Sequence, residues 1–127
     1  FVQRALRGET IEIYGTGDQS RCFCNVSDVV GALVKLVDCP GAVGEVINVG
    51  TTESITIDGL ADKIIEMTGS TSGKTSLSYE EAYGRPFDDM LVRMPDLGKV
   101  NGLIGYKPTV SLEETLQQVI DFEKTRL

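Results

Sequence analysis

The sequence contains no histidine in its 127 residues, and this absence excludes several kinds of site. Catalysis by Ser-His-Asp or Cys-His groups is excluded within the chain, and so is any zinc site that needs an imidazole ligand. The three cysteines, Cys22, Cys24 and Cys39, form an odd set without metal-ligand spacing. We therefore expect reduced thiols and no metal site, which leaves carboxylates and arginines for chemistry.

Positive charge and long apolar runs are also scarce. Twelve Lys and Arg residues stand against 19 Asp and Glu, which gives a formal net charge of -7. Nucleic-acid backbones and anionic membranes are bound by clustered Lys and Arg, so we expect neither as a partner. No apolar run approaches membrane-spanning length and no targeting segment is visible, which favours a cytoplasmic location. Any bound phosphate must be held by a few local cations.

The residues that are present predict one α/β domain. A hydrophobic content of 41% and a charged content of 24% are typical of a globular protein of this size. Apolar periodicity and capping signals predict both helices and extended segments, in alternation along the chain. The predicted helices lie near residues 1–7, 27–38, 58–68, 78–82, 97–104 and 111–122, and the extended segments near 11–14, 20–23, 45–50, 74–77 and 90–94.

The most informative stretch runs from Ile11 to Phe23, where two extended runs flank a loop that contains Gly15 and Gly17. Glycine lets backbone amides approach a ligand closely, and the planar fork of Arg21 suits a phosphate. The stretch therefore indicates an anion site. A β-hairpin with a glycine-containing loop and a solvated arginine explains the same residues equally well.

Three further candidates have plainer interpretations. Lys74 follows a glycine but lacks the spacing of a phosphate-binding loop, so we expect it to begin a strand. Asp88 and Asp89 are adjacent, which favours a solvated loop over a general acid-base pair. Asp28 lies near the start of a predicted helix, where its negative charge interacts favourably with the helix dipole.

Six motifs occur in order along nearly the whole chain. They are Phe1 to Gly8, Ile13-Tyr14-Gly15-x-Gly17-x-Gln19-x-Arg21-x-Phe23, Val26-x-Asp28, Asn48 to Gly50, Arg93-x-Pro95-Asp96, and Leu103 to Pro108. Together they resemble the C-terminal half of NAD-dependent epimerase/dehydratases, the extended short-chain dehydrogenase/reductases that act on nucleotide sugars. The approach to Arg93 from Phe87 looks most like bacterial UDP-sugar epimerases, with UDP-glucuronate decarboxylases close behind.

The resemblance implies that residues 1–127 form a C-terminal substrate-binding domain with short strands and about five helices. The N-terminal Rossmann domain, which binds NAD in the family, is not in this chain, because the sequence has neither a GxxGxxG loop nor a Tyr-x-x-x-Lys pair. We therefore expect no catalytic and no cofactor-binding residue here, and an inactive fragment of a larger oxidoreductase or isomerase. The resemblance assigns residues 45–50 to the edge of the missing sheet, so this segment and the first helix should expose apolar surface.

The resemblance also implies a site for a nucleotide sugar, with UDP as the expected nucleotide. Ile13 and Tyr14 match the strand that borders the nucleobase, Gln19 matches a position beside the nucleotide, and Arg21 and Arg93 match the arginines that hold the diphosphate. Planar donors from separate segments suit that group, because each can make paired charge-assisted hydrogen bonds. The two arginines must then lie on the same side of the molecule.

The whole enzyme is expected to be a homodimer that oxidises the sugar transiently by hydride transfer to NAD. Epimerisation, dehydration and decarboxylation all remain open as outcomes. A stand-alone α/β module that binds a ligand or a protein without catalysis is the alternative function. Reduction of a small carbonyl is a third possibility, which the presence of Gln19 and Arg21 disfavours.

Overall fold

A computed structural model describes residues 1–85 and 88–127. The helices of this part of the chain are α1 (Val2–Leu6), α2 (Val26–Val37), α3 (Ile57–Thr68), α4 (Tyr79–Tyr83), α5 (Gly98–Ile104) and α6 (Leu112–Lys124). The strands are β1 (Ile11–Tyr14), β2 (Ser20–Cys22), β3 (Ser54–Thr56) and β4 (Lys74–Leu77), and a short 3₁₀ turn covers Pro40–Ala42. The α/β class is confirmed, and each of the six predicted helices has a counterpart among the described residues. None of the described helices combines the length and apolar character needed to cross a membrane.

The helix boundaries follow local signals in the sequence. Thr56 caps α3 by accepting a hydrogen bond from the Gly59 amide at 3.0 Å, and Gly69 ends the helix with a φ of 62°. Before α6, the Ser111 hydroxyl accepts from the Glu114 amide at 3.1 Å, and the Ser111 amide donates to the Glu114 carboxylate at 2.9 Å. The capping box predicted for the last helix is confirmed.

The hairpin interpretation of the first two strands is wrong. β1 pairs in parallel with β4, in the register that runs from Ile11 opposite Lys74 to Tyr14 opposite Leu77. β2 pairs with β3 instead. The chain between β1 and β4 contains α3, which packs on β1 above two buried isoleucines. Covering that apolar face requires a crossover helix, and a tight turn between β1 and β2 would not supply one.

The described chain divides into two compact units. The first comprises residues 1–21, 55–93 and 116–127, and the second comprises residues 22–54 and 94–115. In the first unit α1 packs against α3, and Val2 and Ala5 are buried. The expectation that the first helix exposes apolar surface is therefore wrong, because α3 covers its apolar residues. The other buried apolar residues of this unit are Ile11, Ile13, Leu60, Ala61, Ile64, Leu116 and Ile120.

The second unit is built around a small core of Ala32, Val100 and Tyr106. Residues 45–50 form no strand within the described chain, so their predicted place at the edge of another domain's sheet stays a prediction. Strand geometry needs a partner for its backbone groups, and no described strand pairs with this segment. Ile47 packs against the core, whereas Val46 is 86% exposed.

The apolar stripe of α2 is also largely uncovered within the second unit. Ala32 is the buried residue of this helix, whereas Val30, Leu33, Val34 and Val37 are each more than half exposed. The expected helix at residues 27–38 is confirmed, but the described residues bury only Ala32 of its apolar stripe.

Candidate functional site

The loop after β1 requires glycine at two positions. Gly15 and Gly17 have φ values of 76° and 84°, in the left-handed region that side chains disfavour. Gly15 also lies under an aromatic ring, since a Cβ there would stand 2.8 Å from Cζ of Tyr79. The Gly15 amide donates to the Leu77 carbonyl at 2.8 Å, and the Asp18 amide donates to the Thr16 hydroxyl at 3.3 Å. These two loop amides are therefore engaged within the chain.

Gln19 fixes the geometry of this loop. Its side chain is 6% exposed and donates through Nε2 to the Tyr14 carbonyl at 2.8 Å. The backbone carbonyl of Gln19 accepts a hydrogen bond from the Ile57 amide at 3.0 Å. Gln19 thus lies beside Tyr14, as the predicted site requires. Ile13, the neighbouring predicted residue, is 2% exposed and belongs to the core.

Arg21 is held by three acceptors of its own unit. Nη1 donates to the carbonyls of Ser20 at 2.6 Å and Met90 at 2.9 Å, and Nη2 donates to Oδ2 of Asp89 at 2.6 Å. The Arg21 side chain is 18% exposed. The alternative of a solvated arginine on a hairpin is therefore wrong.

Arg93 reaches the same carboxylate from the other side. Its Nη2 donates to Oδ1 of Asp89 at 3.0 Å, and its side chain is 50% exposed. The backbone explains this convergence, because the Ser20 amide donates to the Leu91 carbonyl at 2.7 Å and Ser20 forms a parallel bridge with Val92. The two predicted arginines therefore lie on one side of the first unit and meet at one anion.

Asp89 is the main site residue that the sequence did not reveal. It was expected to be solvated, but its side chain is only 13% exposed and carries both ion pairs. The spacing of four residues to Arg93 was a weak signal for one of them. The pairing with Arg21 is long-range and left no local signal. Pro86 and Phe87, which contributed to the resemblance or to predicted local structure, lie outside the described residues.

Tyrosines form one wall of the site. The Tyr79 hydroxyl donates to Oδ2 of Asp89 at 3.2 Å, and burial together with the Asp89 charge raises the pKa of the Tyr79 phenol. The Tyr79 and Tyr83 rings stack with centroids 6.2 Å apart, and Tyr14 meets Tyr83 edge-on at 5.6 Å. These three tyrosines line a cavity of about 370 Å³, to which Gln19 and Asp89 also contribute.

Two other candidates have structural partners. Lys74 donates to Asp58 and lies within ion-pair distance of Asp62, each at 2.7 Å, and these partners raise the pKa of the Lys74 ammonium. This arrangement agrees with a strand residue and not with a phosphate loop. Asp28 accepts hydrogen bonds from Thr109 and Val110, so its carboxylate anchors residues 109–110 of the second unit.

The helix N-termini of this chain bear on whether it could hold the diphosphate of NAD. Such a group binds at a helix N-terminus whose amides are open. In the described part of the chain, each helix that follows a strand is capped by its own residues: Asn25 caps α2, Thr56 caps α3, and Ser78 with Glu81 caps α4. Each cap occupies only part of the amides at its helix N-terminus, so the expectation that this chain holds no NAD-binding residue stays a prediction.

The comparisons with known proteins agree with one another. A family model described as GDP-mannose 4,6 dehydratase matches residues 1–119. The UDP-N-acetyl-alpha-D-glucosaminuronate decarboxylase of Bacillus cytotoxicus is 34% identical over 122 residues, which are 96% of this chain and 38% of that protein. The UDP-glucuronic acid decarboxylase 1 of Xenopus tropicalis is 35% identical over 127 residues, which are 100% of this chain and 28% of that protein.

Solved structures of similar proteins share the fold. The UDP-glucose 4-epimerase of Thermotoga maritima, crystallised with UDP-glucose, is 30% identical with a TM-score of 0.85, over 99% of this chain and 38% of that one. The UDP-glucuronic acid 4-epimerase of Bacillus cereus, in complex with UDP-glucuronic acid and NAD, is 27% identical with a TM-score of 0.86, over 99% and 38%. The chain thus spans less than two fifths of the length of each of these relatives.

Proposed function

Because the chain belongs to the GDP-mannose 4,6 dehydratase family, we propose that it is the nucleotide-sugar-binding half of an NAD-dependent sugar-nucleotide epimerase, dehydratase or decarboxylase. NAD is the cofactor found in solved members of the group. In the proposal, NAD and the residues that exchange protons with the sugar are supplied from outside residues 1–127. The part described here binds and orients the substrate, and it is inactive alone.

The observation that carries the proposal is the convergence of Arg21 and Arg93 on one carboxylate. A diphosphate resembles that carboxylate in being an anion with several oxygens, each of which can accept a hydrogen bond from a guanidinium group. Each charge-assisted hydrogen bond of this kind contributes about 1.5–3 kcal/mol. Two such donors from separate segments can hold the diphosphate while the rest of the nucleotide lies alongside.

The tyrosine-lined cavity supports a nucleoside beside the diphosphate. Tyr14 and Gln19, two of the residues assigned by the family resemblance, both line it. Aromatic faces give a nucleobase a stacking surface, and the volume of about 370 Å³ lies in the range of small-molecule sites. We assign the nucleotide as UDP, because the named relatives act on or contain UDP-sugars.

The second unit supports a further domain in the whole protein. We propose that residues 45–50 pair with the edge of an NAD-domain sheet and that the same domain covers the exposed apolar residues of α2. Unpaired extended backbone and uncovered apolar side chains both favour such a partner. On the family resemblance alone, we also propose that the whole enzyme is a cytoplasmic homodimer.

The test is binding of UDP to the intact protein, measured by calorimetry and by thermal protection. Arg93→Ala is the sharpest variant, because the described contact of the Arg93 side chain is to Asp89. Loss of one charge-assisted contact should weaken UDP binding about 10- to 100-fold. Arg21→Lys keeps the charge but removes the fork, and it should weaken binding while preserving most of the fold.

Arg7→Ala is the matched control, since Arg7 is an exposed arginine of the same unit. It should leave UDP affinity unchanged. Wild-type affinity in Arg93→Ala and Arg21→Lys would contradict the assignment of the site. The encoding reading frame supplies a second test, because it should specify a Gly-rich strand-turn-helix and a Tyr-x-x-x-Lys pair outside residues 1–127. A reading frame without them would support a stand-alone module.

A further inference from the structure

The carboxylate of Asp89 lies at the point where the two arginines meet. Oδ2 accepts from Arg21 at 2.6 Å and from the Tyr79 hydroxyl at 3.2 Å, and Oδ1 accepts from Arg93 at 3.0 Å. We propose that Asp89 is a built-in counter-ion, which occupies the anion subsite of the free protein and is displaced when a diphosphate binds. This inference rests on the proposed function, because it takes the two arginines as the diphosphate ligands.

The charges at this point explain why such a counter-ion is present. Two guanidinium groups near each other repel, and a carboxylate between them offsets that repulsion. The Asp89 side chain is 13% exposed, so water screens these charges less than at an open surface. A diphosphate that reaches the same nitrogens brings its own negative charge close to Asp89. Both anions cannot occupy the subsite without repelling each other.

The contacts of Arg21 show that it does not need Asp89 in order to stay in place. Nη1 is bound to the carbonyls of Ser20 and Met90, and neither bond involves the carboxylate. When Asp89 leaves, Nη2 becomes available while the guanidinium remains anchored. Arg93 is half exposed, and its side chain can follow whichever anion lies in the subsite.

The surrounding space allows the exchange. Asp89 lines the cavity of about 370 Å³ described above and also a neighbouring cavity of about 420 Å³. Gln19 and Tyr79 line both cavities as well. The carboxylate therefore borders two cavities that could take the parts of a ligand next to a diphosphate.

The structure also places a restraint on the exchange. The Tyr79 hydroxyl donates to Asp89 and holds it in the subsite, and burial together with the Asp89 charge raises the pKa of that phenol. Removing the hydroxyl should ease displacement without changing any charge. Asp89 thus lowers the affinity of the site for anions, and Tyr79 adds to that effect.

The experiment measures binding of inorganic pyrophosphate and of UDP to the intact protein by calorimetry at two salt concentrations. Asp89→Asn keeps the size of the side chain and removes its charge, so it should tighten pyrophosphate binding about tenfold and steepen the salt dependence. Asp88→Asn is the matched control, because this exposed neighbour loses the same charge. It should change affinity less than twofold. Tyr79→Phe should tighten pyrophosphate binding about two- to threefold.

Weaker or unchanged pyrophosphate binding in Asp89→Asn would overturn the proposal, as would equal tightening in Asp88→Asn. Circular dichroism shows whether Asp89→Asn is folded. If this variant is unfolded, the Tyr79→Phe variant tests the proposal instead. Tighter pyrophosphate binding in Tyr79→Phe would support a counter-ion role for Asp89, and weaker or unchanged binding would overturn that role. These failures differ from failure of the proposed function, in which the wild-type protein binds neither pyrophosphate nor UDP, or binds them independently of Arg93.

Discussion

Replacement of Gly15 by alanine tests how the glycine loop is joined to the rest of the site. Two separate costs apply at this position. Its φ of 76° is unfavourable for any residue with a Cβ, and the new methyl group would meet Cζ, Cε2 and Oη of Tyr79 at 2.8–2.9 Å. Gly8 offers a comparison, because its φ of 69° is similar and no atom lies within 4 Å of its Cβ position.

Gly8→Ala and Gly15→Ala together separate the cost of the backbone conformation from the cost of the contact with Tyr79. A left-handed conformation costs an alanine about 1–2 kcal/mol, and this is the whole expected effect of Gly8→Ala. At Gly15 the Tyr79 ring must also move, although the capped helix α4 and the hydrogen bond to Asp89 both hold it. Overpacking of this kind costs about 1–3 kcal/mol. We therefore expect Gly15→Ala to lower the free energy of unfolding by about 2–5 kcal/mol.

Urea denaturation of the intact protein, followed by circular dichroism, measures both variants. A double-mutant cycle between Gly15→Ala and Tyr79→Ala should give a coupling free energy of about 1–3 kcal/mol, because truncation of the ring removes the overlap. If Gly15→Ala costs no more than Gly8→Ala, or if the cycle gives no coupling, the packing of Tyr79 on the loop does not have the energetic role described here.

Two further predictions concern the second unit. Partial burial raises the pKa of Asp28, but hydrogen bonds from residues 109–110 outweigh it and lower the pKa overall. The stabilisation is therefore complete above the unfolded-state pKa of about 3.9 and is lost as pH falls through the folded-state value. Asp28→Asn should cost about 1–2 kcal/mol at pH 7 and flatten the acid side of a urea-denaturation pH profile. Tyr106 donates to the Gly50 carbonyl at 2.8 Å in a buried site, so Tyr106→Phe should cost about 1–3 kcal/mol in the same assay. Burial also raises the pKa of the Tyr106 phenol.

A control is available at the other end of α2. Asp38 is an exposed carboxylate at the C-cap of α2. Asp38→Asn should change the free energy of unfolding by less than about 0.5 kcal/mol, both at pH 7 and on the acid side of the pH profile. An acid profile that is unchanged in Asp28→Asn would contradict the role given to that carboxylate. A Tyr106→Phe protein as stable as the wild type would show that the Gly50 carbonyl finds another donor.

Much of the local structure could be predicted from the sequence, because its signals are local. The strand at residues 74–77, the glycine stop after α3 and the capping box of α6 are confirmed. The homology to UDP-sugar epimerases and UDP-glucuronate decarboxylases, inferred from six motifs, is also confirmed. Each of these predictions depends either on residues that are close together in the sequence or on the order of motifs along the chain.

Predictions that depended on partners distant in sequence were less successful. The extended character of β1 and β2 was evident, but their pairing with β4 and β3 depends on where α3 packs. Residues 45–50 have the apolar content of a strand and still lack its hydrogen bonds, because composition does not provide a neighbour. The stripe on α2 showed which side is apolar and not what covers it.

The features of the candidate site also fall into those that sequence motifs identified and those that only the structure revealed. Arg21 and Arg93 were identified by their motifs, and their ligand role remains a prediction. The pairing of Arg21 with Asp89, and the ring of Tyr79 over Gly15, followed from no residue pattern. An isolated aspartate in a loop is usually solvated, and only a fold that excludes water around it makes it a counter-ion.

The sequence by itself determined the family, the places where helices begin and end, and the two arginines, since these depend on residue identity and on short spacings. The tertiary structure alone decided which strands pair and which anion neutralises the arginines. Ion pairs and strand pairings between distant segments depend on distances in space, and those distances exist only after the core of Ile11, Ile13 and α3 has packed.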